Sequence, residues 1–415
     1  MREKLPAAGR KQEDVLRDLA DFKSDDYDWK GGRVPLYIFG ASDSLTEFGK
    51  TAFTEYFSEN ALGSRRAFAS VQRMEREVIE MALDLFHAPD DAAGFMTTGG
   101  TESIILAVQT CRNRWRKMRG RGAGQPNIVA GDTVHPAFHK AAALMDIEVR
   151  CAPVGSDLRA DVAAMDAIVD ASTMMIVGSA PCFPYGVVDP IADLGRLAES
   201  RGVWLHVDAC VGGYLAPFAR MIGRPVPEFD FGVPQVTSIS ADLHKFGFCP
   251  KPASTVFYRS PDVAEFHTFE YSAWQNGRYA TTTLVGTRPA GGVAAAWAVM
   301  QHLGVDGYVG IARDLLGFVD RYKAAIRAIE GLRVLGDPQL SIVAFGSDDL
   351  DIFRVAELMQ EQGWLPGLVQ RPKAIHRMMS MLHAQSHDAF MQDLTHGVER
   401  VRREPREGSS LQASY

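Results

Sequence analysis

Between about residue 70 and residue 260 the chain alternates short apolar runs with longer stretches of helical periodicity. This alternation limits the fold more than any single motif. Apolar runs at 94–97, 127–130, 148–151, 174–179, 203–208 and 236–240 have the length of buried strands. Helical patterns at 71–86, 99–120, 161–169 and 191–200 separate several of them. In the second of these, Ile104, Ile105, Val108, Cys111, Trp115 and Met118 recur mostly at three- and four-residue steps before Gly120 stops the helix. Strands alternating with helices predict an α/β fold, a mainly parallel sheet with helices on both faces.

Beyond the Gly-rich turn at 286–292, the pattern predicts helices at 293–303 and 308–329, strands at 332–335 and 340–345, and a helix at 353–362. This reads as a smaller α+β domain. Near the N-terminus, Val15, Leu16, Leu19 and Phe22 are spaced as one face of a short amphipathic helix. The expected organisation is an N-terminal segment at 1–60, a large domain at 61–292, a small C-terminal domain at 293–405 and a disordered tail at 406–415.

Composition narrows the partners. A chain of 415 residues can bury a large core, and a formal charge of −7 argues against nucleic acid, whose phosphates demand a basic face. No run approaches the roughly 20 apolar residues needed to span a bilayer, so no transmembrane anchor is expected. The five cysteines are scattered without CxxC spacing, which points to reduced thiols in the cytoplasm. No metal site is read from the sequence.

Three pieces carry chemistry. Lys245 follows the run 236–240 within Thr237-Ser-Ile-Ser-Ala-Asp-Leu-His-Lys245. A lysine so placed can be held from bulk water, lose its proton and form a Schiff base. Thr98-Gly99-Gly100-Thr101 lies between a strand and a strong helix, where backbone N–H groups can hold a phosphate. Asp208 ends the run 203–208, at the carboxyl edge where open α/β sheets bind ligands. A carboxylate there can keep a pyridine nitrogen protonated. His135 leaves another strand end and can stack on a planar ring. His206 shares a strand face with Asp208 but lies deeper, as a core residue would, and His139 reads as a surface residue. The basic run 112–119 falls in the last turns of a helix, where cations offset its dipole. The parts suit pyridoxal 5'-phosphate.

Taken together, TTGGTESI, HPAFHKAA, FPYGVVDPI, LHVDACVGG, TSISADLHKFGFCPK, GTRPAGG and DPQLSIVAFGS identify a resemblance to the group II pyridoxal-phosphate-dependent decarboxylases, in particular their lyase-like branch. The likeness runs to about residue 385. It implies fold type I and a homodimer with active sites at the subunit interface. It also implies Lys245 as the Schiff-base residue, Asp208 at the pyridine nitrogen and His135 against the ring. The phosphate would be held by Thr98 to Thr101, by His244, and by Gly286 and Thr287 from the partner subunit. Tyr37 and Tyr185 match tyrosines implied in proton transfer, and Asn60 matches a substrate-binding asparagine. The implied reaction is retro-aldol cleavage of a phosphorylated long-chain amino alcohol, such as sphingosine 1-phosphate, into a fatty aldehyde and phosphoethanolamine.

The chain departs from that pattern at Asn60-Ala-Leu-Gly63-Ser-Arg-Arg66, where the branch carries Asn-Pro-Leu-His, and at the extra Ala290. Arg65 or Arg66 could replace the missing histidine as a phosphate-binding cation. An amino-acid α-decarboxylase using the same Lys245 and Asp208 is the competing expectation. A non-catalytic protein that keeps the fold is a third.

Overall fold

The computed structural model describes residues 2–120, 122, 124–404 and 409–413. Seven strands form one sheet: β1 (Ala93–Thr97), β2 (Asn127–Gly131), β3 (Glu148–Ala152), β4 (Thr173–Ser179), β5 (Trp204–Asp208), β6 (Val236–Ala241) and β7 (Ser254–Tyr258). Their order is β1-β7-β6-β5-β4-β2-β3. Neighbours from β6 to β3 are parallel, and β7 runs antiparallel to both β1 and β6. The first strand therefore points the same way as β6, and its carboxyl end opens on the same edge.

Strand alternation divides the core in two. Ile128, Ala130, Met175 and Val177 face a cluster that contains Ile104, Ala107, Val108 and Cys111 of the helix Gly100–Arg119. Val129 and Ile176 face the opposite cluster with Leu194 and Ala198 of the helix Ile191–Arg201. Helices on both faces leave β2, β4 and β5 buried along their whole length, as parallel strands usually are.

A hairpin follows, β8 (Phe269–Trp274) and β9 (Gly277–Thr281). The two helices expected after residue 292 both form within Gly291–Ala328, separated by a kink at Gly304, whose φ of 53° and ψ of −174° are not helical. Four more strands, β10 (Arg333–Val334), β11 (Ile342–Gly346), β12 (Gly367–Gln370) and β13 (Lys373–Met378), form an antiparallel sheet ordered β10-β11-β13-β12. The helices Ile352–Glu361 and His387–Arg403 pack Phe353, Ala356, Phe390 and Leu394 into the core beside it.

Several elements were not expected from sequence: the helices Asp43–Glu55 and His387–Arg403, the hairpin, and β12 and β13. Of the tail expected to be disordered, 406–408 and 414–415 lie outside the described residues. Within the tail, the N–H groups of Ser409 and Ser410 donate to the carboxylates of Asp351 and Glu357 at 3.0 and 2.8 Å. The N-terminal helix Gln12–Asp21 does form, but it buries none of its residues within the chain. No helix among the described residues is long and apolar enough to cross a membrane.

Candidate active site

The carboxyl ends of β1, β2, β4, β5 and β6 each deliver residues to one cleft of about 290 Å³. It is lined by Thr98, Gly99, Gly100, Thr101, His135, Asp208, His244 and Lys245, eight of the sequence-predicted residues, and also by Glu102, Phe183, Cys210 and Asp242.

Directly after β6 the chain turns through Asp242-Leu243-His244-Lys245. The turn is pinned by Leu243 and Phe246, both wholly buried, and by the Lys245 N–H donating to the Asp242 carbonyl at 3.2 Å. It brings Lys245 Nζ to 2.8 Å from Asp242 Oδ2. Burial alone would pull the proton off Lys245, but the charge and hydrogen bond of Asp242, with Cys210 and Asp208, together outweigh it and hold the ammonium above its ordinary range. Burial likewise favours a neutral Asp242, yet Lys245, His244 and a hydroxyl donated by Ser254 at 2.5 Å keep it ionised. The sequence reading expected a buried lysine that loses its proton. In this cleft the mostly shielded lysine is held toward its ammonium form, because its nearest neighbour is a carboxylate.

His244 Nδ1 lies 2.7 Å from the Ala253 carbonyl, which can only accept, so Nδ1 carries a proton. Burial lowers the ring's pKa, and the neutral ring then has Nε2 as a bare acceptor. His135 is neutral for the same reason of burial, with Nδ1 accepting from the Ala137 N–H at 3.1 Å. Asp208 is buried at the end of β5. Its two hydrogen bonds, from the Cys210 N–H at 3.1 Å and the Ser240 hydroxyl at 3.4 Å, both reach Oδ1.

The glycine turn abuts this cluster. A Cβ on Gly100 would sit 2.7 Å from Cys210 Sγ and 2.8 Å from Asp242 Oδ2, so only glycine lets the helix Gly100–Arg119 start so close to the carboxylate. The first-turn N–H groups of that 20-residue helix open toward the cleft. Thr98 lines the cleft just before them. Its N–H and its hydroxyl both donate to Glu102 Oε2, at 2.7 and 2.6 Å.

Five predicted residues lie outside the lining of this cleft. Tyr185 is buried, and its hydroxyl donates to the Arg371 carbonyl. Tyr37 is 45% exposed with a left-handed φ of 67°. Asn60 joins the predicted pair Gly286 and Thr287: its amide donates to Thr287 Oγ1 at 3.2 Å, while its Oδ1 caps Leu62 N–H at 3.0 Å. His206 is wholly buried against the hydroxyls of Ser238 and Ser240, at 2.7 and 3.3 Å, and His139 is on the surface. Asp242 and Glu102 were missed as functional residues. Asp242 was within reach of sequence reasoning, three residues before the lysine and just past a strand end.

The sequence model of the pyridoxal-dependent decarboxylase conserved domain matches residues 63–347. The chain is 37% identical over 98% of its length to a sphingosine-1-phosphate lyase of Oryza sativa subsp. japonica, of which it covers 76%. It is 33% identical over 87% of its length to a probable L-aspartate decarboxylase of Pyrococcus furiosus, covering 94% of that protein. Among solved structures, a sphingosine-1-phosphate lyase of Burkholderia pseudomallei superposes with a TM-score of 0.92 at 36% identity, over 97% of this chain and 94% of that one.

Proposed function

The chain belongs to the pyridoxal-dependent decarboxylase family, and from that premise we propose that it is a carbon–carbon lyase dependent on pyridoxal 5'-phosphate. Its substrate is a phosphorylated long-chain amino alcohol such as sphingosine 1-phosphate, cleaved to a fatty aldehyde and phosphoethanolamine. The observation that carries this reading is the match to the Burkholderia lyase, at 36% identity over 97% of the chain.

The cleft residues fit the cofactor. The helix N-terminus at Gly99 to Thr101 offers N–H donors for its phosphate, and His244 Nε2 adds one when the ring is protonated. Asp208 is a buried carboxylate whose described hydrogen bonds leave Oδ2 for a ring N–H. His135 is a neutral planar ring in the same cleft. Lys245 is the amine for the aldehyde.

When bound, the group supplies an electron-poor ring that takes up the electron pair of the broken Cα–Cβ bond. The remaining work belongs to side chains. Asp242 holds a proton on Lys245 Nζ, and that proton is available for return to the carbon from which the aldehyde departs. Tyr37 and Tyr185 are the candidates for proton transfer at the C3 hydroxyl. Burial pushes Tyr185 up to about 12, so at neutral pH its phenol is a donor rather than a base.

We also propose a homodimer. The unburied apolar face of the helix Gln12–Asp21 and the half-exposed Phe269, Tyr271 and Trp274 of the hairpin support it. So does the position of Asn60, Gly286 and Thr287 outside their own chain's cleft. Free cysteines at all five positions support a cytoplasmic setting.

The likeness to the Pyrococcus protein, with the lost histidine at Gly63, supports one second reading, an amino-acid α-decarboxylase. Purified protein loaded with pyridoxal phosphate separates the two. Aldehyde release from sphingosine 1-phosphate, abolished in Lys245→Ala, is the expected result. Carbon dioxide release from amino acids without aldehyde would replace the lyase reading with the decarboxylase one.

A further inference from the structure

Glu102, in the first turn of the helix behind the two glycines, is a carboxylate that the mechanism leaves unused. It is 6% exposed. Its two oxygens face different parts of the chain. Oε2 accepts the N–H and hydroxyl of Thr98, at 2.7 and 2.6 Å, and Oε1 accepts the Leu284 N–H at 2.8 Å. One side chain therefore joins the turn in front of the helix to a loop 182 residues further along.

That loop is itself braced. The Thr283 hydroxyl donates to the Val285 carbonyl at 2.7 Å, and the Arg288 guanidinium donates to Thr283 Oγ1 at 2.9 Å. The Asn60 amide donates to Thr287 Oγ1 at 3.2 Å. A carboxylate is the side chain this junction needs. It accepts at both ends with charge-assisted bonds, and its charge is favoured at a helix N-terminus. Glutamine cannot replace it, because its NH2 must face one of the two sets of donors.

We propose that Glu102 is a positioning residue that couples the cofactor's phosphate turn to the loop at 283–288, so that filling the cleft orders the loop. The inference rests on the cofactor reading given above. By holding both Thr98 donors, Glu102 Oε2 fixes how the N–H groups of Gly99, Gly100 and Thr101 are presented. A phosphate on those groups restrains the turn, and the restraint passes through the carboxylate to the Leu284 N–H.

Amide hydrogen exchange of the full-length protein, with and without pyridoxal phosphate, tests this. Cofactor binding is followed separately by its visible absorbance. In the wild type, binding slows exchange across 283–288. Glu102→Gln still gains the visible band but loses that slowing, and its cofactor affinity falls about tenfold, the weight of one hydrogen bond to a charged group. Leu284→Pro deletes the other donor from the loop side and leaves Glu102 untouched. It loses the slowing too, which keeps the test open if the Glu102 variant folds poorly. If no visible band forms in the wild type, the cofactor reading fails and this inference with it. If the band forms and exchange at 283–288 responds equally in wild type and variants, or in none of them, the coupling alone is wrong.

Discussion

Lys245 Nζ lies 2.8 Å from Oδ2 of the buried Asp242 and is itself mostly shielded, so the amine of this cleft is stored as half of an ion pair. A buried pair of this kind is costly to break, because removing one partner strands the other's charge. The charged and titratable groups around Nζ are Asp242, Cys210, Asp208, His244, His135 and, further out, Lys251. Asp242 is the one in contact.

The first prediction concerns how fast the apoprotein takes up its cofactor. Only a neutral amine attacks an aldehyde, and the pKa of Lys245 is raised, so uptake by the wild type accelerates as pH increases. Asp242→Asn removes the charge that opposes desolvation, lowers the lysine pKa, and moves the pH–rate profile to lower pH. Stopped-flow absorbance between pH 6 and about 10 reads the profile. Superimposable curves for the two proteins would remove Asp242 from any role in setting the protonation of Lys245.

His244 predicts the opposite pH dependence for binding of the phosphate alone. Nδ1 is committed as a donor to Ala253, so Nε2 can donate to a phosphate only when the ring is cationic. The empty site lowers the ring pKa by burial, and a bound phosphate raises it, so binding takes up a proton. Pyridoxine 5'-phosphate, which has no aldehyde and bypasses Lys245, should bind the wild type less tightly as pH rises from 6 to about 8. His244→Gln carries a permanent N–H and should bind with an affinity nearly flat over that range. Equal slopes by calorimetry would show that His244 does not hold the phosphate.

What could be read in the sequence follows from where the determinants lie. Gly99, Gly100, His135, Asp208 and Lys245 each sit at or beyond the end of an apolar run, so the strand pattern alone brought them to one sheet edge. His206 was legible as core by alternation, and Ser238 and Ser240 one strand over satisfy it. The ionised state of Lys245 was not read, because it depends on the direction in which Asp242 points after the turn. Glu102 was hidden for another reason: its decisive partner is a backbone N–H far away in sequence, with no residue-type signature. The helices at 293–303 and 308–329 were legible as a pair, and the kink that separates them falls at Gly304, whose backbone is not helical. The helix His387–Arg403 was legible in the spacing of Phe390, Leu394 and Val398 but was not read.

Burial pushes His206, His267, His376 and His383 down to about 4, which makes stability depend on acid. An unfolded histidine titrates near 6.5, so between about pH 6.5 and 4 the unfolded chain binds more protons and stability falls as pH falls. Asp189 and Glu75 oppose this, since burial raises both, Asp189 to about 6, but the histidines lowered by burial outnumber them. Urea midpoints should therefore decline steadily from pH 7 to about 4.5. A midpoint constant over that interval would mean that these rings are not neutral and buried in the folded protein.

Ser238 tests the packing behind Asp208. Its hydroxyl is the partner of both the Trp204 indole N–H and His206 Nδ1, each at 2.7 Å in the wholly buried interior of the sheet. Ser238→Ala leaves two buried polar groups unpaired, at about 1–3 kcal/mol apiece. Ser238→Thr keeps the hydroxyl and should recover most of the loss, reduced by the strain of one extra methyl group in a packed site. The alanine variant should unfold at lower urea concentration with its cofactor absorbance and aldehyde release unchanged while folded, because neither Trp204 nor His206 lines the cleft. If the alanine variant instead lost cofactor at full stability, His206 would have to be counted among the residues of the active site.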